Sequence, residues 1–421
     1  MATFRSQFMH VLEERGFIHQ CTNSDSLDIL AENNTISAYI GFDCTANSLH
    51  VGSLVQIMML KWLQKSGHKP IVLVGGGTSQ VGDPSGRDES RKLLTTEVIS
   101  KNKCGIKNCI EQFLTFSNEN NGAIFVDNSD WLNSLEYLPF LRDIGRHFSV
   151  NRMLTFDSVK QRLEREQPLS FLEFNYMVLQ AYDFLELSKR LGCRLQMGGS
   201  DQWGNIVNGV ELNRRVAGVE TFGLTTPLIT LSSGAKMGKT AKGAIWLDKD
   251  MLSPYEYWQF WRNTDDKDVG KFLRLFTEIP LHEIQKLEKL EGAELNQAKK
   301  LLATEATTLC HGFKAAKEAQ NTAHETFEKS GIGENLPIAS INAENFTSGL
   351  SLIELMADSR YGLHLAKSKS EARRIIRGGG AKINNNTITD EMKLVTLNDF
   401  DKDGTLKISA GKKRHALVQK S

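Results

Sequence analysis

One segment of the chain has residue types that suit a phosphate group. Residues 41–53 (GFDCTANSLHVGS) follow a short apolar run and lead into a segment of helical pattern. Thr45 and His50 can donate hydrogen bonds to phosphate oxygens, and Gly52 lets a ligand approach the backbone. The N–H groups at a helix N-terminus favour an anion. The segment therefore predicts a phosphate site, although a lone histidine at this place is more often a structural cap.

A second segment, residues 236–240 (KMGKT), carries two lysines on a glycine-containing loop. Lys236 and Lys239 could close over a polyphosphate and stabilise charge that develops on it. Surface lysine pairs are common, so this motif gains meaning only together with the first.

A third set of polar residues shares one face of a predicted helix. Tyr176, Gln180 and Asp183 stand at i, i+4 and i+7, so all three can line one pocket. A helical aspartate is usually solvated, but the apolar neighbours of Asp183 favour its burial.

The elements that position these residues alternate between strand and helix patterns. We expect strands over residues 38–42, 71–74, 123–126, 193–197 and 224–231, and helices over residues 54–65, 176–190 and 206–216. This alternation predicts an α/β fold with a Rossmann-like doubly wound parallel sheet, whose ligands gather at the carboxyl ends of the strands.

Composition shifts divide the chain into four predicted segments. A catalytic α/β domain is expected over residues 1–250, an α-helical domain over 251–329, a linker over 330–347 and a small α+β domain over 348–421. The linker is suggested by glycine, proline, asparagine and serine.

The net charge of +1 conceals an asymmetry between these segments. Residues 348–421 hold 14 Lys and Arg against 8 Asp and Glu, a net charge of +6, and residues 1–347 have a net charge of −5. A small basic domain on an acidic body suggests contact with RNA or DNA. The candidate contacts, on a short helix and a later turn, are Lys369, Arg373, Arg374, Arg377, Lys412 and Lys413.

Length and composition exclude several other classes of protein. The chain has 421 residues, 40% of them hydrophobic, and contains no apolar run long enough to span a membrane. Its six cysteines are scattered as in reduced cytosolic proteins, and no metal-ligand spacing is present. We therefore expect a cytoplasmic protein with no dedicated metal site and no membrane partner.

Both phosphate motifs resemble signatures of class I aminoacyl-tRNA synthetases when they are read together and in order. HVGS at residues 50–53 and KMGKT at 236–240 are similar to the HIGH and KMSKS signatures. Further segments resemble bacterial-type tyrosyl-tRNA synthetases, and the last domain resembles their S4 RNA-binding fold. They are YIGFD at 39–43, VGGGT at 74–78, GDPSG at 82–86, YMVLQAYD at 176–183 and GGSDQWGN at 198–205.

The resemblance implies attack of the tyrosine carboxylate on the α-phosphate of ATP, with Mg²⁺ accompanying ATP, and then transfer of tyrosine to the 3′ end of tRNA(Tyr) by a homodimer. The residues that it implies for phosphate chemistry are Thr45, His50, Lys236, Lys239, Arg87 and Arg91. Those implied for tyrosine are Tyr39, Asp43, Thr78, Asp83, Asn128, Tyr176, Gln180, Asp183 and Gln202. Those implied for ATP are Gly41, Asp43, His50, Gly52, Ser53, Asp201, Lys236, Met237 and Lys239.

The resemblance implies a different set of residues for each end of the tyrosine substrate. Asp183 and Tyr39 would pair with the phenolic hydroxyl, whereas Asp83, Gln180 and Tyr176 would meet the ammonium group. A tRNA-facing surface on the catalytic body is a weaker hypothesis, carried by Arg142, Arg146, Arg152, Arg162 and Arg165.

Two positions depart from the class signatures, and two other functions stay open. Ser53 stands in place of the second histidine, and Gly238 in place of the first serine, which predicts a more flexible loop. A tryptophanyl-tRNA synthetase would share the catalytic architecture, although Asp183 and the S4-like tail argue against it. A non-catalytic RNA-binding relative is the other alternative, and the intact His50 and lysines argue against that.

Overall fold

The structure is a computed structural model. Contacts within the chain divide it into two compact units, Met1–Phe313 and Lys314–Ser421. The structure describes residues 4–83, 94–232, 234, 237–240, 243–292, 294–327, 338–347, 349–361, 363–401, 404–411 and 414–420, without the side chains of 157–158, 239–240 and 325–327.

The first unit is built around a parallel sheet. Its strands are β1 (Gln20–Cys21), β2 (Ser37–Asp43), β3 (Lys69–Gly75), β4 (Ile124–Asp127), β5 (Cys193–Gly199) and β6 (Phe222–Thr226), and a two-stranded ribbon adds β7 (Lys239–Thr240) and β8 (Gly243–Ala244). The order in the sheet is β1-β6-β5-β2-β3-β4, with only β1 antiparallel to its neighbour. This arrangement confirms the predicted Rossmann-like doubly wound sheet.

Helices connect these strands and continue beyond them. They are α1 (Gln7–Arg15), α2 (Ser24–Asn33), α3 (Val51–Lys65), α4 (Thr96–Ile110), α5 (Ser129–Leu132), α6 (Tyr137–Asp143), α7 (Val150–Met153), α8 (Asp157–Glu164), α9 (Phe171–Leu191), α10 (Trp203–Val216), α11 (Pro254–Arg262), α12 (Val269–Phe276), α13 (Leu281–Leu287) and α14 (Leu295–Phe327). The last of these is interrupted at Gly312, whose φ of 84° is not helical.

Local sequence explains where the site-bearing helices begin and end. At α9, Ser170 and Glu173 form a reciprocal capping box, and Gly192 ends the helix in the left-handed conformation at φ 62°. At α3, the N-cap is His50, so the predicted phosphate segment lies at a helix N-terminus. Leu187 of α9 and Ile71 of β3 belong to one buried core cluster, which fixes α9 against the sheet.

One predicted strand is too long. We expected a strand over residues 224–231, but β6 ends at Thr226, immediately before Pro227. Proline has no N–H to donate to a strand ladder, and this accounts for the early end.

The second unit holds a small, mostly antiparallel sheet and, besides the last part of α14, two further helices among its described residues. Its elements are β9 (Ile338–Ile341), β10 (Leu350–Ser351), α15 (Leu352–Ala357), α16 (Lys369–Arg377), β11 (Ala381–Ile383), β12 (Asn386–Ile388), β13 (Leu394–Val395), β14 (Thr405–Ala410) and β15 (Arg414–Lys420). The main sheet has the order β12-β11-β14-β15-β9, in which β9 runs parallel to β15. This is the expected α+β architecture.

The predicted linker over residues 330–347 is wrong in its second half. Residues 338–347 contain β9 and bury Ile341 and Phe346 in the core of the second unit. The sequence hides this strand because polar and small residues surround its few apolar ones. The other predicted boundaries, at residues 250 and 329, stay predictions, and the contacts divide the chain instead between Phe313 and Lys314.

Candidate active site

The candidate site lies where the strand order of the sheet reverses. From β2 the chain proceeds to β3 and β4 on one side, whereas β5 and β6 lie on the other. The carboxyl ends of β2 and β5 therefore flank the crevice in which ligands of such sheets bind. A cavity of about 570 Å³ occupies this position. Its wall includes the predicted residues Tyr39, Gly41, Asp43, Thr45, His50, Gly52, Ser53, Thr78, Asp83, Asn128, Tyr176, Gln180, Asp183, Asp201 and Gln202.

Asp183 lies at a buried end of this cavity. Its side chain is 2% exposed, and its two carboxyl oxygens accept hydrogen bonds from Trp131 Nε1 (2.7 Å) and Asn128 Nδ2 (2.9 Å). Burial raises the pKa of Asp183 to about 7, although these two donors oppose the rise. The carboxyl group is thus held in one orientation and changes charge near neutral pH.

Tyr39 and Gln196 face each other across β2 and β5 beside Asp183. The two residues are partners in the strand register, and both side chains are buried. Neither Tyr39 Oη nor Gln196 Oε1 has a hydrogen-bond partner among the described residues. Since burying an unpaired polar atom is costly, both atoms suit a polar group of a ligand. Sequence reasoning missed Gln196, whose only signal is a polar residue within an apolar strand.

A chain of polar side chains surrounds the opposite part of the cavity. Tyr176 Oη donates to Asp43 Oδ1 (3.0 Å), and Gln202 Nε2 donates to Asp83 Oδ2 (2.9 Å). Gln180 Nε2 lies 3.3 Å from Gln202 Oε1. Burial, together with the nearby carboxylates, raises the pKa of Tyr176 well above its ordinary value. The arrangement places two carboxylates near neutral donors, which suits a cation.

Asn128 and Asn205 connect this polar chain to other parts of the site. Asn128 donates to Thr78 Oγ1 (3.0 Å) as well as to Asp183, so it lies at the Asp183 end of the cavity. Asn205 Nδ2 donates to Gln180 Oε1 (2.9 Å) and thereby orients that amide. Asn205 also escaped the sequence reasoning, since a single buried amide on a helix has no periodic signal.

The His50 turn shows the local geometry of a helix cap. His50 Nδ1 accepts a 3.0 Å hydrogen bond from the Gly52 N–H, so a neutral ring carries its proton on Nε2. Trp246 packs beside the imidazole with its ring centroid 6.1 Å away. A donor nitrogen thus lies at the N-terminus of α3, where an anion is favoured.

The segment around Gly238 packs on this turn. The Val51 N–H donates to the Ile245 carbonyl (2.9 Å), and the Ile245 N–H donates to the Gly238 carbonyl (3.1 Å). Gly238 has φ +99°, and a Cβ atom built on it would lie 2.9 Å from His50 Nδ1. Glycine is therefore required here by space and by backbone conformation.

The structure describes the predicted residues of the lysine segment and of the arginine-containing loop only in part. Met237 is described and buried, and the backbone of Lys239 lies in β7. Lys236, Arg87 and Arg91 lie outside the described residues.

The basic helix predicted in the second unit is α16. Arg373 and Arg374 are exposed, and Ala372 and Ile376 are buried, as the pattern predicted. The other two basic residues of this helix are ion-paired: Lys369 Nζ lies 2.9 Å from Glu354, and Arg377 pairs with Glu391. Lys412 and Lys413 lie outside the described residues.

One member of the proposed basic surface on the first unit is misplaced. Arg162 is 2% exposed, because its guanidinium pairs with Glu173 at 3.0 Å and bonds the Pro168 carbonyl. It therefore cannot face tRNA. The hypothesis arose because arginines are usually exposed.

In the part of the chain that the structure describes, no three His, Cys, Asp or Glu side chains form a group able to hold a metal ion. Within the same residues, no helix combines the length and the apolar character needed to cross a bilayer.

Comparison with known proteins agrees with this geometry. Residues 31–328 match the family model described as tRNA synthetases class I (W and Y). The chain is 60% identical over 419 residues to a tyrosine–tRNA ligase of Rhodospirillum rubrum, covering 100% of this chain and 99% of the relative. It is 59% identical to that of Zymomonas mobilis, covering 100% of both chains.

A solved structure supports the same assignment. A C-terminally truncated mitochondrial tyrosyl-tRNA synthetase of Aspergillus nidulans matches with a TM-score of 0.69 and 33% identity, over 77% of this chain and 95% of its own. The family model covers both tryptophan and tyrosine enzymes, but the full-length relatives decide between them. The chain belongs to the class I tRNA synthetases and, within them, to the tyrosine–tRNA ligases.

Proposed function

We propose that the cavity joins L-tyrosine to ATP and that the resulting adenylate then loads tRNA(Tyr). ATP is a substrate of this class of ligase. The tyrosine carboxylate oxygen bonds to the α-phosphorus and pyrophosphate leaves. A ribose hydroxyl of the tRNA 3′ end then attacks the tyrosyl carbonyl carbon, and AMP leaves. The observation that carries the proposal is the buried pair Tyr39 and Asp183 in the same cavity as the His50 turn.

The phenol end of the substrate is assigned to Asp183 and Tyr39. An ionised Asp183 would accept a hydrogen bond from the phenolic O–H, and Tyr39 Oη would gain the partner that the described residues do not give it. Gln196 Oε1 can take part in the same way. Phenylalanine would leave these buried atoms unpaired, and the cost of such atoms gives the site its selectivity.

The ammonium end is assigned to the polar chain around Asp83. Tyr176, Gln180 and Asp83 would contact the ammonium group, with Asp43 adding a second carboxylate. Thr78 and Asn128 would support the wall between the two ends. The hydrogen bonds from Gln202 to Asp83 and from Tyr176 to Asp43 hold both carboxylates in place before tyrosine arrives.

The phosphate end is assigned to the turn before α3 and to the lysine segment. Thr45 and His50 would donate to phosphate oxygens, beside the backbone of Gly52 and Ser53. Catalysis in this assignment is positioning and charge stabilisation, since no side chain forms a covalent bond. The charged residues assigned to the pyrophosphate are Lys236, Lys239, Arg87 and Arg91.

The remaining nucleotide contacts follow the edge of β5. Asp201 would accept ribose hydroxyls, Gln202 would orient the reacting carboxylate, and Gly41 and Met237 would approach the nucleotide. Mg²⁺ would enter bound to ATP and neutralise phosphate charge, because the hard cation prefers phosphate oxygens.

Contact with tRNA is assigned to the second unit. Arg373 and Arg374 are the strongest candidates, because both side chains are exposed. Lys369 and Arg377 would have to exchange Glu354 and Glu391 for phosphate. Lys412 and Lys413 complete the assigned set.

A homodimer is supported by exposed apolar side chains along the segment from α6 to the start of α9. Large exposed apolar side chains are typical of interaction sites when they group together. Those with the largest exposed fractions include Tyr137 (65%), Leu138 (73%), Val150 (59%) and Phe171 (69%).

The cytoplasm is the proposed compartment, since all six cysteines are free thiols, as is usual in a reducing environment.

The experiment that tests this function is pyrophosphate exchange into ATP. We expect exchange that depends on tyrosine and is not supported by tryptophan or phenylalanine. Lys236→Ala and Lys239→Ala should each slow the exchange at least about tenfold, since each removes a positive charge that would stabilise the phosphates. Lys249→Ala, at an exposed lysine further along the chain, is the matched control.

Three results would contradict the proposal. Exchange driven by tryptophan would favour the tryptophan enzyme, and exchange with no amino acid dependence would reject adenylate formation. A protein that binds tRNA without any exchange would be the non-catalytic relative.

A further inference from the structure

The backbone of Cys44 is held on both sides by side chains from two distant segments. The Asn102 amide donates a 2.8 Å hydrogen bond to the Cys44 carbonyl, and the Cys44 N–H donates a 2.7 Å hydrogen bond to Ser79 Oγ. Cys44 and Asn102 are both buried. Because a peptide unit is planar, the bond to the Cys44 carbonyl also fixes the direction of the Thr45 N–H. That N–H donates to the Asp43 carbonyl at 2.9 Å.

Helix α4 makes two further contacts with the same turn. A Cβ atom built on Gly105 would lie 1.9 Å from the Asn47 carbonyl oxygen, so no larger residue fits without moving the turn. Cys109 Sγ lies 3.3 Å from the Ser48 hydroxyl. Relative to Asn102, these two residues stand at i+3 and i+7, on one face of the helix. One continuous helix face therefore contacts the turn between β2 and α3.

The helix is itself tied to the sheet. Lys103, next to Asn102, forms an ion pair with Asp127 at the end of β4. Cys44 is fully buried whereas Thr45 is exposed to the cavity. The Cys44 backbone, which α4 contacts through Asn102, thus directly precedes a residue of the cavity wall.

We propose that Asn102 is a positioning residue for the ATP phosphates, acting through the Cys44–Thr45 peptide. Asn102 lies behind the turn rather than on the cavity wall, so it would not touch the nucleotide. Its amide holds Thr45, and the turn leading to His50, in the geometry that meets phosphate oxygens. This inference rests on the proposed function, in which Thr45 and His50 contact those oxygens.

The test is Asn102→Leu in the full-length enzyme, which keeps the side-chain volume and removes the donor. In pyrophosphate exchange we expect the KM for ATP to rise about tenfold, the equivalent of one net hydrogen bond. The KM for tyrosine should stay within about twofold, since the lost hydrogen bond is on the Thr45 side of Cys44 and, apart from Asp43, the tyrosine assignments lie away from this turn. Asn108→Leu, an exposed asparagine on the same helix, is the matched control and should change neither constant.

A second variant keeps the test decisive if the first does not fold. Gly105→Ala pushes the same turn through Asn47 and should also raise the KM for ATP and not that for tyrosine. If the variants lower only the thermal unfolding midpoint, or raise both KM values equally, Asn102 is merely structural and the inference is overturned. If the wild type shows no exchange, or Thr45→Ala leaves the KM for ATP unchanged, the proposed function fails instead.

Discussion

The guanidinium carbon of Arg15 lies 4.1 Å from the ring centroid of Trp62. Arg15 Nη1 donates to the carbonyls of Arg274 and Thr277 at 2.9 Å each, and Nη2 donates to that of Ile279 at 2.7 Å. A single side chain thus joins α1, α3 and the end of α12. Trp62 lies near the C-terminal end of α3, so this buried cation contacts the end of the helix that is remote from its N-cap, His50.

We predict that Arg15→Lys lowers the free energy of unfolding by about 3 kcal/mol, because an ammonium cannot satisfy three carbonyls in the planar arrangement of a guanidinium. Burial lowers the pKa of Arg15 to about 10, so the group stays charged at neutral pH. Urea unfolding followed by fluorescence measures the change. Arg5→Lys, at an exposed arginine of the same segment, should leave the midpoint unchanged. Equal midpoints for both variants would mean that the three hydrogen bonds contribute nothing net.

Tyrosine binding should depend on the charge of Asp183. With a pKa of about 7, this carboxyl is mostly protonated at pH 6 and mostly ionised at pH 8. If the ionised form accepts a hydrogen bond from the phenolic O–H, the Kd for tyrosine rises as pH falls, by about tenfold from pH 8 to pH 6. Equilibrium dialysis at fixed ionic strength measures this.

Two variants separate Asp183 from other titrating groups. Asp183→Asn should bind tyrosine weakly and with no pH dependence over this range. Trp131→Phe removes a hydrogen bond to the charged form, so the midpoint of the pH dependence should move upward. A wild-type Kd that is flat from pH 6 to pH 8 would refute the assignment of the phenol end.

The RNA assignment predicts a loss of tRNA charging without a loss of adenylate formation. Arg373→Glu combined with Arg374→Glu should lower kcat/KM for tRNA at least about tenfold and reduce the salt dependence of tRNA binding by about one phosphate contact per arginine. Pyrophosphate exchange should be unchanged. Lys101→Glu with Lys107→Glu, a reversal of two exposed charges on α4, is the control. If both double variants weaken the aminoacylation of tRNA equally, the cause is the change in net charge and not the loss of a contact made by α16.

The sequence was most informative where periodicity and burial agree. The spacing of Tyr176, Gln180 and Asp183 predicted one shared face, and all three line the cavity. Trp131 was missed because α5 has only four residues and therefore no periodic signal. Gln196 was missed because a buried polar residue in an apolar strand looks like an exception until its strand partner, Tyr39, is known. Contacts between distant segments cannot be read from local pattern.

Gly238 gives the most selective test of the phosphate end. An alanine there would have to adopt φ +99° and would bring its Cβ within 2.9 Å of both His50 Nδ1 and the Gly52 nitrogen. Because the Gly238 backbone packs on the His50 turn, this clash would displace the turn, and we expect Gly238→Ala to lower kcat for pyrophosphate exchange at least about tenfold while the Kd for tyrosine stays the same.

Gly234 supplies the matched control. It has φ +80°, so alanine is strained there too, but a Cβ atom would meet nothing within 4 Å. Gly234→Ala should therefore report the cost of the left-handed backbone alone. Equal losses of kcat in the two variants would assign the whole effect to backbone strain. A loss confined to Gly238→Ala would assign it to the contact with the His50 turn, since only that contact differs between the two positions.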